Sequence, residues 1–237
     1  MEQVLIPARF NGPPTSGNGG YSCGLVARFI DGPARVRLHS PPPLDEPLDL
    51  RVLDEGAVEL TQGDTLVASG WPATLSLEIP PAPGLEAAQE GRERYLFKDE
   101  HNFSTCFVCG TGRAEGDGLE LFTGPLGEPS AGPGIVACDW RPAPDLLDDE
   151  GCVRSEIVWA ALDCPGCFGA LGGARTLVLL GELVLEQYAP VPGDEDLVVY
   201  AWPEGASGRK FYGGAAIASA DGTVLACSYS TWIALRQ

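Results

Sequence analysis

TLVASGWPATLSL (Thr65–Leu77) and TVLACSYSTWIAL (Thr223–Leu235) align without a gap. Each follows a Gly/Asp turn pair, Gly63-Asp64 or Asp221-Gly222, and opens on threonine. Each then keeps alanine fourth (Ala68, Ala226), an aromatic seventh (Trp71, Tyr229) and leucine last. Alternating, β-rich runs opened by such turns read as strands entered through a hairpin. Two further matches lie upstream in the same order. PLDEPLDLRV (Pro43–Val52) parallels PGDEDLVVYA (Pro192–Ala201), and ARFIDGPARVRLHS (Ala27–Ser40) parallels ARTLVLLGELVLEQ (Ala174–Gln187). One match could be chance; three in the same order point to internal duplication.

Each half therefore reads as a helix, a strand, a loop and three further strands. In the first half these are predicted at 19–30, 35–39, 48–54, 57–61 and 65–79. In the second they are predicted at 155–171, 176–188, 196–202, 209–219 and 223–235, preceded by strands at 134–140 and 118–122. The segment IPPAPGLEAAQEGRERYLFKDEHNFST (Ile79–Thr105) turns to proline and charge and reads as a linker, with a helix over 85–94. The expected division is 1–80 for the first half, 81–105 for the linker and 106–237 for the second half. A helix preceding a meander of antiparallel strands, twice over, is an α+β architecture. EIVWAALDCPGCFGAL (Glu156–Leu171) is apolar on every side except at Glu156 and Asp163, as a helix wrapped by a curled sheet must be.

Composition narrows the partners. With 237 residues and 44% hydrophobic content there is ample core material for one large or two small domains. No apolar run approaches the roughly 18 residues a membrane span needs. The start, MEQVLIPARF, has no basic segment followed by an apolar core, so the expected location is the cytoplasm. A net charge of −18 repels phosphate backbones, which disfavours nucleic acid and anionic membranes. An anionic small molecule would need a local basic patch. The one adjacent cation pair is Arg209-Lys210, at the start of a predicted strand, where charge equally guards an edge.

RFNGPPTSGNGGYSCGLVARF (Arg9–Phe29) runs from a loop through a glycine pair into an apolar helix. A glycine-rich helix start leaves backbone N–H groups open to an anion or a developing oxyanion. The amides of Gly19, Gly20 and Tyr21 are candidates for that role. Asn18 either orients a substrate or caps the helix. No acid, histidine or lysine lies between Arg9 and Arg28, so any base must come from elsewhere. Asp163 is the candidate, because a carboxylate on an apolar helix is costly to bury unless paired or put to use. The alternative is an interfacial acid hydrogen-bonded to backbone freed by Pro165. Glu156, behind Ser155, suits the first turn of a helix and is the reserve base.

The eight cysteines read as reduced thiols, several buried. Cys106-x2-Cys109 and Cys164-x2-Cys167 have metal-like spacing, but the gap between the pairs far exceeds a zinc ribbon's, and no metal is expected. His39, between strand residues, reads as a surface residue and His101 as part of the linker. No G-x-S-x-G marks a serine nucleophile, and GNGGY follows a loop rather than a strand, unlike a dinucleotide fingerprint.

In the order of its motifs the chain resembles double hotdog proteins of the acyl-CoA thioesterase superfamily. CFVCG (Cys106–Gly110) followed by GLELF (Gly118–Phe122) resembles the opening of hotdog thioesterase-like domains, although the Asn-Pro usual between them is missing. AALDCPGCFGAL (Ala160–Leu171) is similar to their central helix, whose Leu-Asp often supplies the catalytic carboxylate. GRKFYGGAAIASADGTVLACSYSTWIAL (Gly208–Leu235) resembles their last two strands. GNGGYSCGLVA (Gly17–Ala27) resembles their glycine-rich helix start, with asparagine where histidine or proline is usual.

The resemblance implies a tandem hotdog with its site between the halves, the first offering helix-start amides and the second Asp163. It implies hydrolysis of an acyl-CoA by carboxylate-activated water, with no cofactor beyond the CoA of the substrate. Arg209 and Lys210 would meet the CoA phosphates. The alternatives are a hotdog that binds acyl-CoA without turnover and a zinc-stabilised interaction module. Exposed sheet edges could also pair chains into a homo-oligomer.

Overall fold

The computed structural model describes residues 2–127 and 134–235. Among these residues the strands form one antiparallel sheet of eleven. The first half contributes β1 (Glu2–Val4), α1 (Gly19–Ala27), β2 (Ala34–Leu38), β3 (Leu48–Val52), β4 (Val58–Gln62) and β5 (Thr65–Pro72). Helix α2 (Leu85–Glu93) follows. The second half has β6 (Gly124–Pro125), β7 (Val136–Trp140), α3 (Ser155–Ala161), α4 (Asp163–Leu171), β8 (Val178–Gln187), β9 (Leu197–Ser207), β10 (Lys210–Ser219) and β11 (Val224–Ala234).

The strand order is β1-β3-β4-β5-β2-β8-β11-β10-β9-β7-β6. Around the central pair, β5 stands to β2 as β11 stands to β8, so the two aligned stretches that opened the sequence occupy mirrored places. The halves join edge to edge where β2 pairs β8, with Val36 opposite Leu183 and Arg37 opposite Glu182. Closing this seam removes two exposed edges. Glu182 braces it by accepting from both Arg37 Nε (3.0 Å) and Arg37 Nη2 (2.7 Å).

Helices α1, α3 and α4 fill the inside of the curled sheet. α1 is buried at every position from Gly20 to Ala27 and packs against α3, while α4 lies across β9 and β10. The sequence reads one helix over 155–171; the structure has two, meeting at Leu162. Pro165 explains the break. It has no N–H to give to the Ala161 carbonyl, and its ring crowds that oxygen, so a helix restarts at Asp163.

Three further expectations differ. The run from Thr65 leaves the sheet after Pro72 rather than continuing to Ile79. Its alternation persists, but Leu75, Leu77 and Ile79 pack on the outer face of the second half, against Val198, Tyr200 and Trp202. The segment expected as a linker is thus part of the cover on that face. Ala88 of α2 is fully buried there and Tyr200 Oη donates to the Pro80 carbonyl at 2.9 Å. This second layer explains why LVVYAW in β9 is apolar without alternation: both faces are covered. Finally, 118–122 is no strand. Glu120 has φ +53°, and Leu119 N and Leu121 N donate to the carbonyls of Phe107 and Val108. No described helix is long and apolar enough to cross a membrane.

Candidate active site

The helix start of one half meets the helix break of the other. Asn18 is the N-cap of α1, its Oδ1 accepting from Tyr21 N at 2.9 Å. Its Nδ2 donates to Asp163 Oδ2 at 2.6 Å, and Gly20 N donates to the same oxygen at 3.0 Å. Asn18 is 1% exposed and Asp163 3%. The asparagine therefore both caps its helix and anchors the carboxylate. The other oxygen, Asp163 Oδ1, is buried and has no hydrogen-bond partner among the described residues.

Burial pushes the Asp163 carboxyl up to about 7. The Gly20 amide opposes the rise, the negative charge at Cys106 adds to it, and the Asn18 amide opposes it again. Glu156 does not share the site. It pairs with Arg154 at 3.1 Å in the first turn of α3, as its place behind Ser155 suggests.

Asp163 lines a cavity of about 510 Å³, a size usual for small-molecule sites. Gly17, Asn18 and Gly19 form one wall from the first half. Phe168, Leu180 and Trp232 supply much of an apolar wall from the second.

Of the three amides expected to face an oxyanion, two are engaged: Gly20 N with Asp163 and Tyr21 N with Asn18. Gly19 N, at the cavity wall, donates to no protein acceptor among the described residues. Tyr21 does not line the cavity; its ring stacks on Phe10 at 4.1 Å. Burial, followed by the Glu156 charge, pushes its hydroxyl up to about 12.

Arg209 and Lys210 do not line the cavity. They sit at the β9–β10 hairpin, where Arg209 Nη1 donates to the Ala234 carbonyl at 3.0 Å, one residue from Leu235 on the cavity rim.

Both histidines were read away from any site, yet both line the cavity. His39 Nε2 lies 2.6 Å from Ser69 Oγ. His101 Nδ1 accepts from Phe103 N at 2.9 Å, and its Nε2 is buried without a partner. Burial lowers the pKa of His101. No sequence signal marked either residue, since the loops carrying them come to the cavity only through long-range packing.

The cysteine pairs also converge. The thiols of Cys106, Cys109 and Cys164 lie within 4.8 Å of one another, and Cys106 and Cys164 are 3.7 Å apart. The Cys109 thiol, and then that of Cys164, hold Cys106 well below the usual thiol range by hydrogen bonding to it.

No protein-family model matches the sequence, nor does any curated protein. Solved structures do match the fold. The tesB protein of Mycobacterium avium subs paratuberculosis is similar over 95% of this chain and 90% of its own, at 14% identity and a TM-score of 0.62. A protein of Alicyclobacillus acidocaldarius described as having the hot dog fold is similar over 99% and 93%, at 11% identity and a TM-score of 0.61.

The chain is a double hotdog.

The acyl-CoA thioesterase II TesB2 of Mycobacterium marinum is similar over 99% of this double hotdog and 93% of its own chain, at 14% identity and a TM-score of 0.59. At such identities the likeness speaks for the fold. The chemistry of this double hotdog has to be argued from its own residues, chiefly Asp163, Asn18 and the start of α1.

Proposed function

We propose that this double hotdog hydrolyses an acyl thioester, with acyl-CoA as the substrate class. One observation carries the reading: Asp163, buried in the lining of an apolar cavity, has one oxygen fixed by Asn18 and Gly20 and the other without a partner among the described residues. Leaving such an oxygen unpaired is costly unless it has a use.

In this mechanism Asp163 Oδ1 takes a proton from a water molecule as that water attacks the thioester carbonyl carbon. The carbonyl oxygen becomes an oxyanion beside Gly19 N and the start of α1, where the helix dipole favours negative charge. The C–S bond then breaks, and the proton on Asp163 passes to the departing thiolate. The products are a carboxylic acid and a free thiol. Nothing beyond water and substrate is consumed, so CoA enters only as part of the substrate. The acyl chain would lie along Phe168, Leu180 and Trp232, and the CoA phosphates near Arg209 and Lys210 at the rim.

The test is turnover of an acyl-CoA panel, followed by chromatographic release of CoA so that the protein's own thiols do not interfere. Asp163→Asn keeps an acceptor for Asn18 and Gly20 but removes the base, and should lower kcat by at least about a hundredfold. Equal turnover in the variant would refute the mechanism. A second reading, binding without hydrolysis, draws on the engagement of Gly20 N and Tyr21 N, which leaves one free amide for the oxyanion. Tight acyl-CoA binding with no product on any chain length would favour it.

A further inference from the structure

The two C-x2-C pairs lie far apart in sequence, separated by residues 110–163, and the fold closes that gap. Cys106 and Cys109 stand on a tight turn in which Gly110 N donates to the Cys106 carbonyl at 2.9 Å. Cys164 and Cys167 stand on the first turns of α4, three positions apart and hence on one helical face. All four cysteines line the same cavity.

The separations are those of a metal site. A tetrahedral zinc with Zn–S bonds of about 2.3 Å sets its sulfurs about 3.8 Å apart. Cys106 and Cys164 are 3.7 Å apart, and Cys109 completes a mutual group within 4.8 Å. Packing alone does not ask three thiols from two distant segments to share one point.

We propose that Cys106, Cys109, Cys164 and Cys167 bind one zinc ion, tying the 106–109 turn to the start of α4.

Cys167 supplies the fourth thiolate by a side-chain rotation on the helix face it shares with Cys164. His101 is excluded as fourth ligand while Phe103 N donates to its Nδ1. In the neutral ring the proton then sits on Nε2, which acts as a donor and can serve a metal-bound thiolate from outside. Thiolate ligation in tetrahedral geometry selects zinc over harder cations. A four-iron cluster would hold its thiolates farther apart, because each binds a different iron, and a two-iron cluster would do so for the thiolates on different irons, whereas Cys106, Cys109 and Cys164 lie within 4.8 Å of one another. On binding, the thiol protons that the four cysteines still carry pass to solvent and four S–Zn bonds form, with no change of oxidation state. Because Cys164 follows Asp163, the ion would also fix the backbone that carries the carboxylate. The proposal does not depend on the hydrolysis reading, since metal content is read without substrate.

The experiment uses the full chain, kept reduced and purified without chelator. Elemental analysis should find close to one zinc per chain. After chelation and loading with Co2+, the spectrum should show sulfur-to-cobalt charge transfer in the near ultraviolet and the visible bands of a tetrahedral thiolate site. Zn2+ titration of Cys106→Ser, Cys164→Ser and Cys167→Ser should each show affinity weakened at least tenfold, with Cys152→Ser unchanged. The Co2+ spectrum of the unaltered chain keeps the proposal falsifiable even if a variant does not fold. No uptake of Zn2+ or Co2+ by the reduced chain overturns the site, as does a Cys106–Cys164 disulfide recovered from protein kept under thiol. Undiminished affinity in Cys167→Ser refutes the four-thiolate set.

Discussion

Gly20→Ala probes the contact on which the site depends. A Cβ at Gly20 would lie 2.5 Å from the Trp159 carbonyl oxygen, 2.6 Å from Asp163 Cβ and 3.0 Å from Ala160 Cα. All three are at or next to the backbone of the facing helices, so no flexible side-chain end can swing aside. α1 must instead back away from α3 and α4. Overpacking of this kind costs about 1–3 kcal/mol, and losing the Gly20 N hydrogen bond to the carboxylate adds about 1.5–3 kcal/mol. A loss of about 2.5–6 kcal/mol is therefore expected. For a chain of this size, about 2–4 °C per kcal/mol turns this into a fall in Tm of roughly 5–24 °C. Displacing the carboxylate by even about 1 Å should lower kcat about a hundredfold. Thermal unfolding by circular dichroism and acyl-CoA turnover give the two readouts. Gly84→Ala is the control, because its Cβ meets nothing within 4 Å at the N-cap of α2. Gly24→Ala, whose Cβ would lie 2.6 Å from Glu156 Cα, should also destabilise. The double variant should cost less than the sum, since helices once parted accommodate both methyls. A Gly20→Ala protein as stable and active as the parent would refute the close helix approach.

Asn18→Ala removes a helix cap and a donor to Asp163 together; about 1–2 kcal/mol for the cap alone is expected by chemical denaturation, with a larger proportional loss of turnover. In chelator-treated protein, Asp163→Asn should be more stable than the parent near neutral pH. Folding raises this carboxyl from 3.8 to about 7, so the parent loses stability as pH climbs through that window and levels off above it. Each pH unit of the window is worth roughly 1.4 kcal/mol, so the variant should gain up to several kcal/mol above pH ~7 and nothing below pH ~4; denaturation curves across pH would refute this if the gain were constant. Glu182→Gln at the seam should cost at most about 1 kcal/mol and lose its effect in high salt, because Arg37 and Arg35, whose Nε lies 3.7 Å from Glu182 Oε1, are both about half exposed.

The sequence by itself determined most of the secondary-structure plan and which residues are candidates for the chemistry. Repeated alternating runs behind Gly/Asp turns fixed which segments are strands, because side-chain period is local. Asn18, the glycine pair and Asp163 were recognisable for the same reason: a glycine-rich helix start and an acid on an apolar helix are visible in a few neighbouring residues. What tertiary structure decided is who meets whom. Only the packing of α1 on α3 and α4 brings Asn18 Nδ2 within 2.6 Å of Asp163 and engages Gly20 N with the same carboxylate, while Tyr21 N is taken by the local cap of Asn18. Only the sheet's second layer shows why residues 75–79 alternate, since the same period serves packing on a sheet as well as membership in one. The cysteine pairs make the point most plainly. Their spacing within each pair was legible, but the distance between pairs is set by the turn of 106–109 against the first turns of α4, which no local pattern encodes.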